Sequence, residues 1–154
     1  MSKALVLACG NSQRGDDGVA HQVVSYLRNH LSYATAEFHA VKFHCQQQWT
    51  PELAKPISQA EIVIFVDAAV GAPSGSITCR RLQPVSDAPL ASTHHISPNY
   101  LLLLAQELYG KSPARAYSLT IAGDSFESEE TVSPPVRRAI PGSAERIKQL
   151  LATS

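Results

Sequence analysis

Three stretches of this chain concentrate side chains able to do chemistry. The first is Gly10-Asn11-Ser12-Gln13-Arg14-Gly15-Asp16-Asp17-Gly18, which follows a short apolar run. The second is Asp67, which directly ends the apolar run Ile62-Val63-Ile64-Phe65-Val66. The third is Ser92-Thr93-His94-His95, in front of a leucine-rich segment. Hard carboxylate oxygens with one imidazole suit a divalent metal such as nickel, zinc or manganese. Three protein ligands leave the open position that a catalytic metal needs for water or substrate. Each residue also has a plainer reading. Asp16 or Asp17 alone could cap a helix, and the pair could divide the work, one capping and one facing a cleft. Asp67 is harder to dismiss, because a carboxylate at the end of a buried strand is costly unless paired or coordinated. His94 and His95 are adjacent, so at most one points inward.

Other chemistries find less support. No HExxH or GxSxG is present, so neither a zinc-protease helix nor a nucleophile elbow is indicated. The spacing of Gly10, Gly15 and Gly18 fits neither GxGxxG nor a phosphate loop, and no Lys-Ser/Thr pair follows,. A nucleotide-binding module therefore stays a distant alternative. Cys9, beside Gly10, is the one cysteine near a strand-to-helix turn and reads as strand interior. His21, His30, His39 and His44 have no partner spacing and read as solvated. Cys9, Cys45 and Cys79 are odd in number with no CxxC, which argues against a disulfide framework or thiolate zinc site. They read as small buried apolar residues of a reducing cytosol.

The elements that must position these groups alternate between apolar runs and helical patterns, the signature of an α/β layer fold. Leu5 to Cys9 reads as a strand buried on both faces. Val19, Val23, Val24, Leu27 and Leu31 recur at helical spacing, giving a helix over 18–31 with one buried stripe. Residues 37–43 alternate weakly and read as a strand. Thr50-Pro51 opens a short helix with Thr50 as N-cap. Residues 62–66 form the central strand, ending at Asp67; Gly71 to Gly75 turn into a strand over 76–82, and a loop runs over 83–95. Ser97-Pro98 opens a helix through Tyr109 that Gly110 stops. Residues 116–122 form another strand, and Ser133-Pro134-Pro135 begins a final helix to about Leu151, kinked at Pro141-Gly142. The expected architecture is α/β, three-layered, with a twisted, mostly parallel (mixed) sheet of about five strands flanked by helices. In such sheets ligand sites gather beyond the carboxyl ends of the strands, where Asp17, Asp67 and His94 would meet.

The 154 residues suit one domain over 1–154, with 44% hydrophobic content for its core. Thirteen basic and 13 acidic residues cancel, leaving no broad field to attract nucleic acid or anionic membrane. The apolar start is too brief for a signal peptide and no run approaches the roughly 20 apolar residues of a membrane span, so a cytoplasmic location is expected.

In order along the chain, these blocks resemble the nickel–iron hydrogenase maturation endopeptidases. Gly10-Asn11 with Asp16-Asp17-Gly18-Val19 is similar to that family's opening signature, and Ile64-Phe65-Val66-Asp67-Ala68 with Gly71, Pro73 and Gly75 to its second block. Ser92-Thr93-His94 before Leu101 to Leu104 resembles the third; Ser118 to Gly123 and Val132-Ser133-Pro134-Pro135-Val136 resemble the late strand and last helix start. The resemblance covers nearly the whole chain. It implies an endopeptidase that removes the C-terminal extension of a hydrogenase large-subunit precursor after nickel insertion. It carries metal contact and catalysis over onto Asp17, Asp67 and His94, reading nickel supplied by the precursor and not a permanent metal. Ala20 stands where the family has a second helix glycine, and His95 beside His94 leaves the ligand choice less sharp. Another divalent metal, or a maturation chaperone that binds nickel or precursor without cutting, are the alternatives. Which carboxylate would take the proton stays open among Asp16, Asp17 and Asp67.

Overall fold

The computed structural model describes residues 4–31, 41–71, 73–85, 96–123 and 132–152. Five strands, β1 (Ala4–Cys9), β2 (Val41–Gln46), β3 (Ile62–Val70), β4 (Ile77–Arg81) and β5 (Arg115–Gly123), form one sheet in the order β2-β1-β3-β5-β4. All neighbours are parallel except β4, which runs antiparallel to β5 at the edge. The chain passes from β1 to β2 on one side, then returns across β1 to β3 on the other. The crevice between β1 and β3 is therefore the topological switch point, where open sheets of this kind bind ligands.

Both faces are covered. Helices α1 (Val19–Leu31), α4 (Pro134–Arg138) and α5 (Ile140–Ala152) pack on one face, where Val23, Leu27, Val136 and Ile147 meet Val6, Ile64, Leu119 and Ile121. Helices α2 (Ala54–Ser58) and α3 (Pro98–Tyr109) pack on the other, where Ile57, Leu101 and Leu102 meet Leu5, Leu7, Val63 and Phe65. Burial on two faces explains why β1 and β3 are continuous apolar runs with no alternation. The result is the expected three-layer α/β architecture. Among the described residues no helix is long and apolar enough to cross a membrane.

Several boundaries differ from the sequence expectation. Helix α3 starts and stops as read: the Ser97 hydroxyl accepts from the Tyr100 N–H at 3.1 Å, and Gly110 ends it in the left-handed region at φ 77°,. The second strand is Val41–Gln46; its alternation was a weak guide on an edge strand, and residues 37–40 of the expected span lie outside the described residues. Residues 86–95 of the expected loop do as well. Strand β3 does not end at Asp67 but continues to Val70, because β5 runs beside it as far as the Val70–Gly123 pair. The last helix breaks at Ala139, ahead of Pro141-Gly142. A continuous helix would place Pro141 in its interior, without an N–H for the preceding turn; the break puts Pro141 in the first turn of α5, where none is needed. Of the cysteines only Cys9 is buried; Cys79 is intermediate and Cys45 exposed, contrary to the reading of all three as core.

Candidate functional site

The loop after β1 is shaped by two glycines. A Cβ on Gly10 would collide with the Asp17 carbonyl oxygen, and one on Gly18 would sit 2.8 Å from the Ser12 Cα. These close approaches fold residues 11–18 back over the end of β1, and the 3-10 turn Gly15–Gly18 leads into α1. The Asp17 carboxylate then accepts from the Asn11 N–H at 2.8 Å. His21, one turn on, places Nε2 2.7 Å from the Gly10 oxygen and 3.1 Å from the Gln46 oxygen. Carbonyls only accept, so Nε2 carries a hydrogen and staples the ends of β1 and β2 together.

The two neighbouring aspartates do divide the work. Asp16 is wholly buried and accepts from the Ser133 N–H at 2.7 Å and the Ser133 hydroxyl at 2.9 Å. It thereby supports the start of α4. Asp17 faces the cleft.

Asp67 stands two residues after Phe65 on β3, hence on the same face of the sheet. Ala8 pairs with Val66, which sets Cys9 beside Asp67 across the crevice. A pocket of about 280 Å³ opens there, lined by Cys9, Gly10, Asp17, Trp49, Asp67 and Ile96 among others. Burial pushes the Asp67 carboxyl up to about 7; the Ala68 N–H, donating to it at 2.8 Å, opposes the rise, and the negative charge of Asp17 adds to it,. Burial, then the charges of Asp67 and Asp17, push the Cys9 thiol up to about 12. Cys9 is thus a neutral thiol at physiological pH, donating to the Gln47 oxygen at 3.4 Å, and not a nucleophile.

Asp17 and Asp67, 50 positions apart by their numbers, are brought to one pocket at the switch point. His94 and His95 lie outside the described residues; Ile96, next in the chain, lines the same pocket. Among the described residues no cluster of three metal-ligating side chains occurs. Sequence reading missed His21 as a structural staple, having taken it as solvated. Its spacing of four from Asp17 was the one available signal, since hydrogen bonds to backbone carbonyls leave no motif.

Comparison with solved structures covers almost the whole molecule. The hydrogenase-maturating endopeptidase HybD of E. coli superposes with a TM-score of 0.73, over 97% of this chain and 91% of that one, at 22% identity. The chain has the fold of the hydrogenase maturation endopeptidases. The [NiFe] hydrogenase maturation protease HycI of Thermococcus kodakarensis gives a TM-score of 0.73 at 20% identity, covering 99% of this chain and 94% of that one. A hydrogenase 2 maturation peptidase from a Thaumarchaeota archaeon gives 0.70 at 20% identity, over 99% of this chain and all (100%) of that one. No family model and no curated protein matches the sequence. The endopeptidase fold thus emerges from the coordinates at identities where sequence comparison is silent.

Proposed function

We propose that this protein is an endopeptidase of nickel–iron hydrogenase maturation, which removes the C-terminal extension of a large-subunit precursor once nickel is in place. The observation that carries this reading is the convergence of Asp17 and Asp67 on one pocket at the switch point of the sheet. It is supported by the likeness in fold to HybD and HycI.

The donor set fits a divalent cation. Two carboxyl groups face one pocket, and burial together with the Asp17 charge makes a second negative charge on Asp67 unfavourable. An arriving cation removes that penalty, and Asp67 gives up its proton as it binds. In this reading the cation is the nickel of the precursor, so it belongs to the substrate, and His94 supplies the third contact. Asp17, fixed by the Asn11 N–H, and Asp67, fixed by the Ala68 N–H, then hold the scissile peptide next to the metal. Water between metal and carboxylate attacks the carbonyl carbon; the carboxylate takes its proton and passes it to the leaving amine. Cys9, held as a thiol, stays outside the reaction.

The test is incubation with a nickel-loaded large-subunit precursor, followed by mass spectrometry. Loss of the extension with the wild-type protein is expected, and its retention with Asp17→Asn, Asp67→Asn and His94→Ala. Full processing by all three variants would overturn the site. Binding of precursor with no mass change in the wild type would favour the non-cleaving chaperone.

A further inference from the structure

The peptide group between Gly10 and Asn11 is gripped from both sides. Its carbonyl oxygen lies 2.7 Å from His21 Nε2, and its N–H donates to Asp17 Oδ2 at 2.8 Å. His21 Nε2 also lies 3.1 Å from the Gln46 oxygen, which accepts from the Gly10 N–H at 3.0 Å as well. Two carbonyls face one ring nitrogen, so the hydrogen on Nε2 is shared between them and ties the imidazole to the ends of both β1 and β2. The backbone itself does little to set the direction of this peptide group. Gly10 stands at φ 151°, a conformation open to glycine because it carries no Cβ, and glycine leaves the plane that follows it easy to turn. Turned over, that plane would set its carbonyl oxygen against the Asp17 carboxylate, where two negative ends repel.

We propose that His21 is a positioning residue for Asp17, acting through this one peptide group: its Nε2–H holds the Gly10 carbonyl and so aims the Asn11 N–H at Asp17 Oδ2. A hydrogen bond accepted by a peptide carbonyl also polarises the N–H of the same group, so the bond to Asp17 is strengthened as well as directed. With Oδ2 held, Oδ1 makes no hydrogen bond among the described residues and is left to serve the pocket that Asp17 lines. The consequence for catalysis rests on the endopeptidase reading; the peptide lock itself does not.

Three variants separate the lock from simple packing. His21→Ala removes the imidazole, His21→Leu fills its space without a donor, and His21→Gln restores an N–H at a similar reach. His21 is only half-buried, and the Gly10 N–H bond to Gln46 needs no imidazole, so the fold is expected to persist, as urea unfolding would check. The first readout uses no substrate: the Asn11 amide proton resonance, which a charged carboxylate acceptor holds downfield. In His21→Ala and His21→Leu it is expected to move upfield, towards its position in Asp17→Asn, and in His21→Gln to return towards the wild type. The second is cleavage of nickel-loaded precursor. Here kcat is expected to fall about ten-fold in the Ala and Leu variants, with KM within about two-fold, and to recover in His21→Gln. An Asn11 resonance unmoved in both donor-less variants overturns the proposal, and so does a moved resonance with unchanged kcat or an equal loss in His21→Gln. A resonance that moves and is rescued by glutamine, in a protein whose wild type cleaves no precursor, keeps the lock and removes only the endopeptidase reading. Wild-type cleavage with an unmoved resonance removes only the lock.

Discussion

Asp67 is held in a state that costs the fold something. Its carboxyl is raised from 3.8 to about 7, so the native protein resists ionising a group that ionises freely in the unfolded chain. The penalty is absent below pH 3.8, grows between there and about 7, and is complete above; at about 1.4 kcal/mol per unit it amounts to at most roughly 4 kcal/mol. Asp67→Asn is therefore expected to stabilise the protein by one to a few kcal/mol at pH 8 and to leave it unchanged near pH 4, as read from urea midpoints at the two pH values. Nickel docking should weaken as pH falls through 7, because the proton must leave before the oxygen can ligate. Cys9 gives a second expectation at this scale. With its thiol at about 12 and buried, it should resist iodoacetamide in the native state while exposed Cys45 is alkylated, which peptide mass mapping would show,. Asp17 and Asp67 could be picked out from sequence because their positions, at a loop-to-helix step and after a buried strand, made them expensive or purposeful. The exposure of Cys45 could not, since it depends on β2 lying at the sheet edge.

Among the elements, the C-terminal helix pair shows how local rules and tertiary contacts divide control. Pro134 and Pro135 announce the start of α4, and Pro141 announces a disturbance; its form, a break at Ala139 and not a kink, follows from where α5 can resume its hydrogen bonds. The partner of Ser133, the residue just before α4, was invisible in sequence, because Asp16 and Ser133 are 117 positions apart. Asp16→Ala leaves the Ser133 N–H and hydroxyl without that acceptor and is expected to cost about 2–4 kcal/mol, measured by urea unfolding. The reverse case lies in α5. Ser143 is wholly buried and its hydroxyl oxygen has no partner among the described residues. Ser143→Ala is thus expected to raise stability by about 1 kcal/mol, an outcome a thermal melt would check. Helix α3 was legible to the residue, since Ser97, Pro98 and Gly110 form a complete local signal. Strand β3 was legible only in its first half, because its continuation past Asp67 depends on β5, not on its own residues.

At the scale of the molecule, the order β2-β1-β3-β5-β4 places the crevice between the two most apolar strands, and the acid pair inherits its position from that topology. Alternating apolar runs and helical stripes made the layered sheet readable. The strand order was not, since it is decided by pairings distant in sequence. The same order makes Leu119, wholly buried under the α1–α5 layer, a keystone of the cooperative unit; Leu119→Ala is expected to cost about 2–5 kcal/mol in equilibrium unfolding. The tie between Asp16 and Ser133 has a dynamic consequence. Residues 12–14 are exposed, as in loops that ordinarily open on their own, yet Asp16, two residues on, is buried and anchored to the α4 end of the opposite terminal segment. Opening this loop therefore means loosening the helix pair. In amide exchange the Asn11 and Ser133 protons should lose protection together, as members of one foldon, and a cut that loosens α4 should slacken the bite of the cleft from the far side of the sheet.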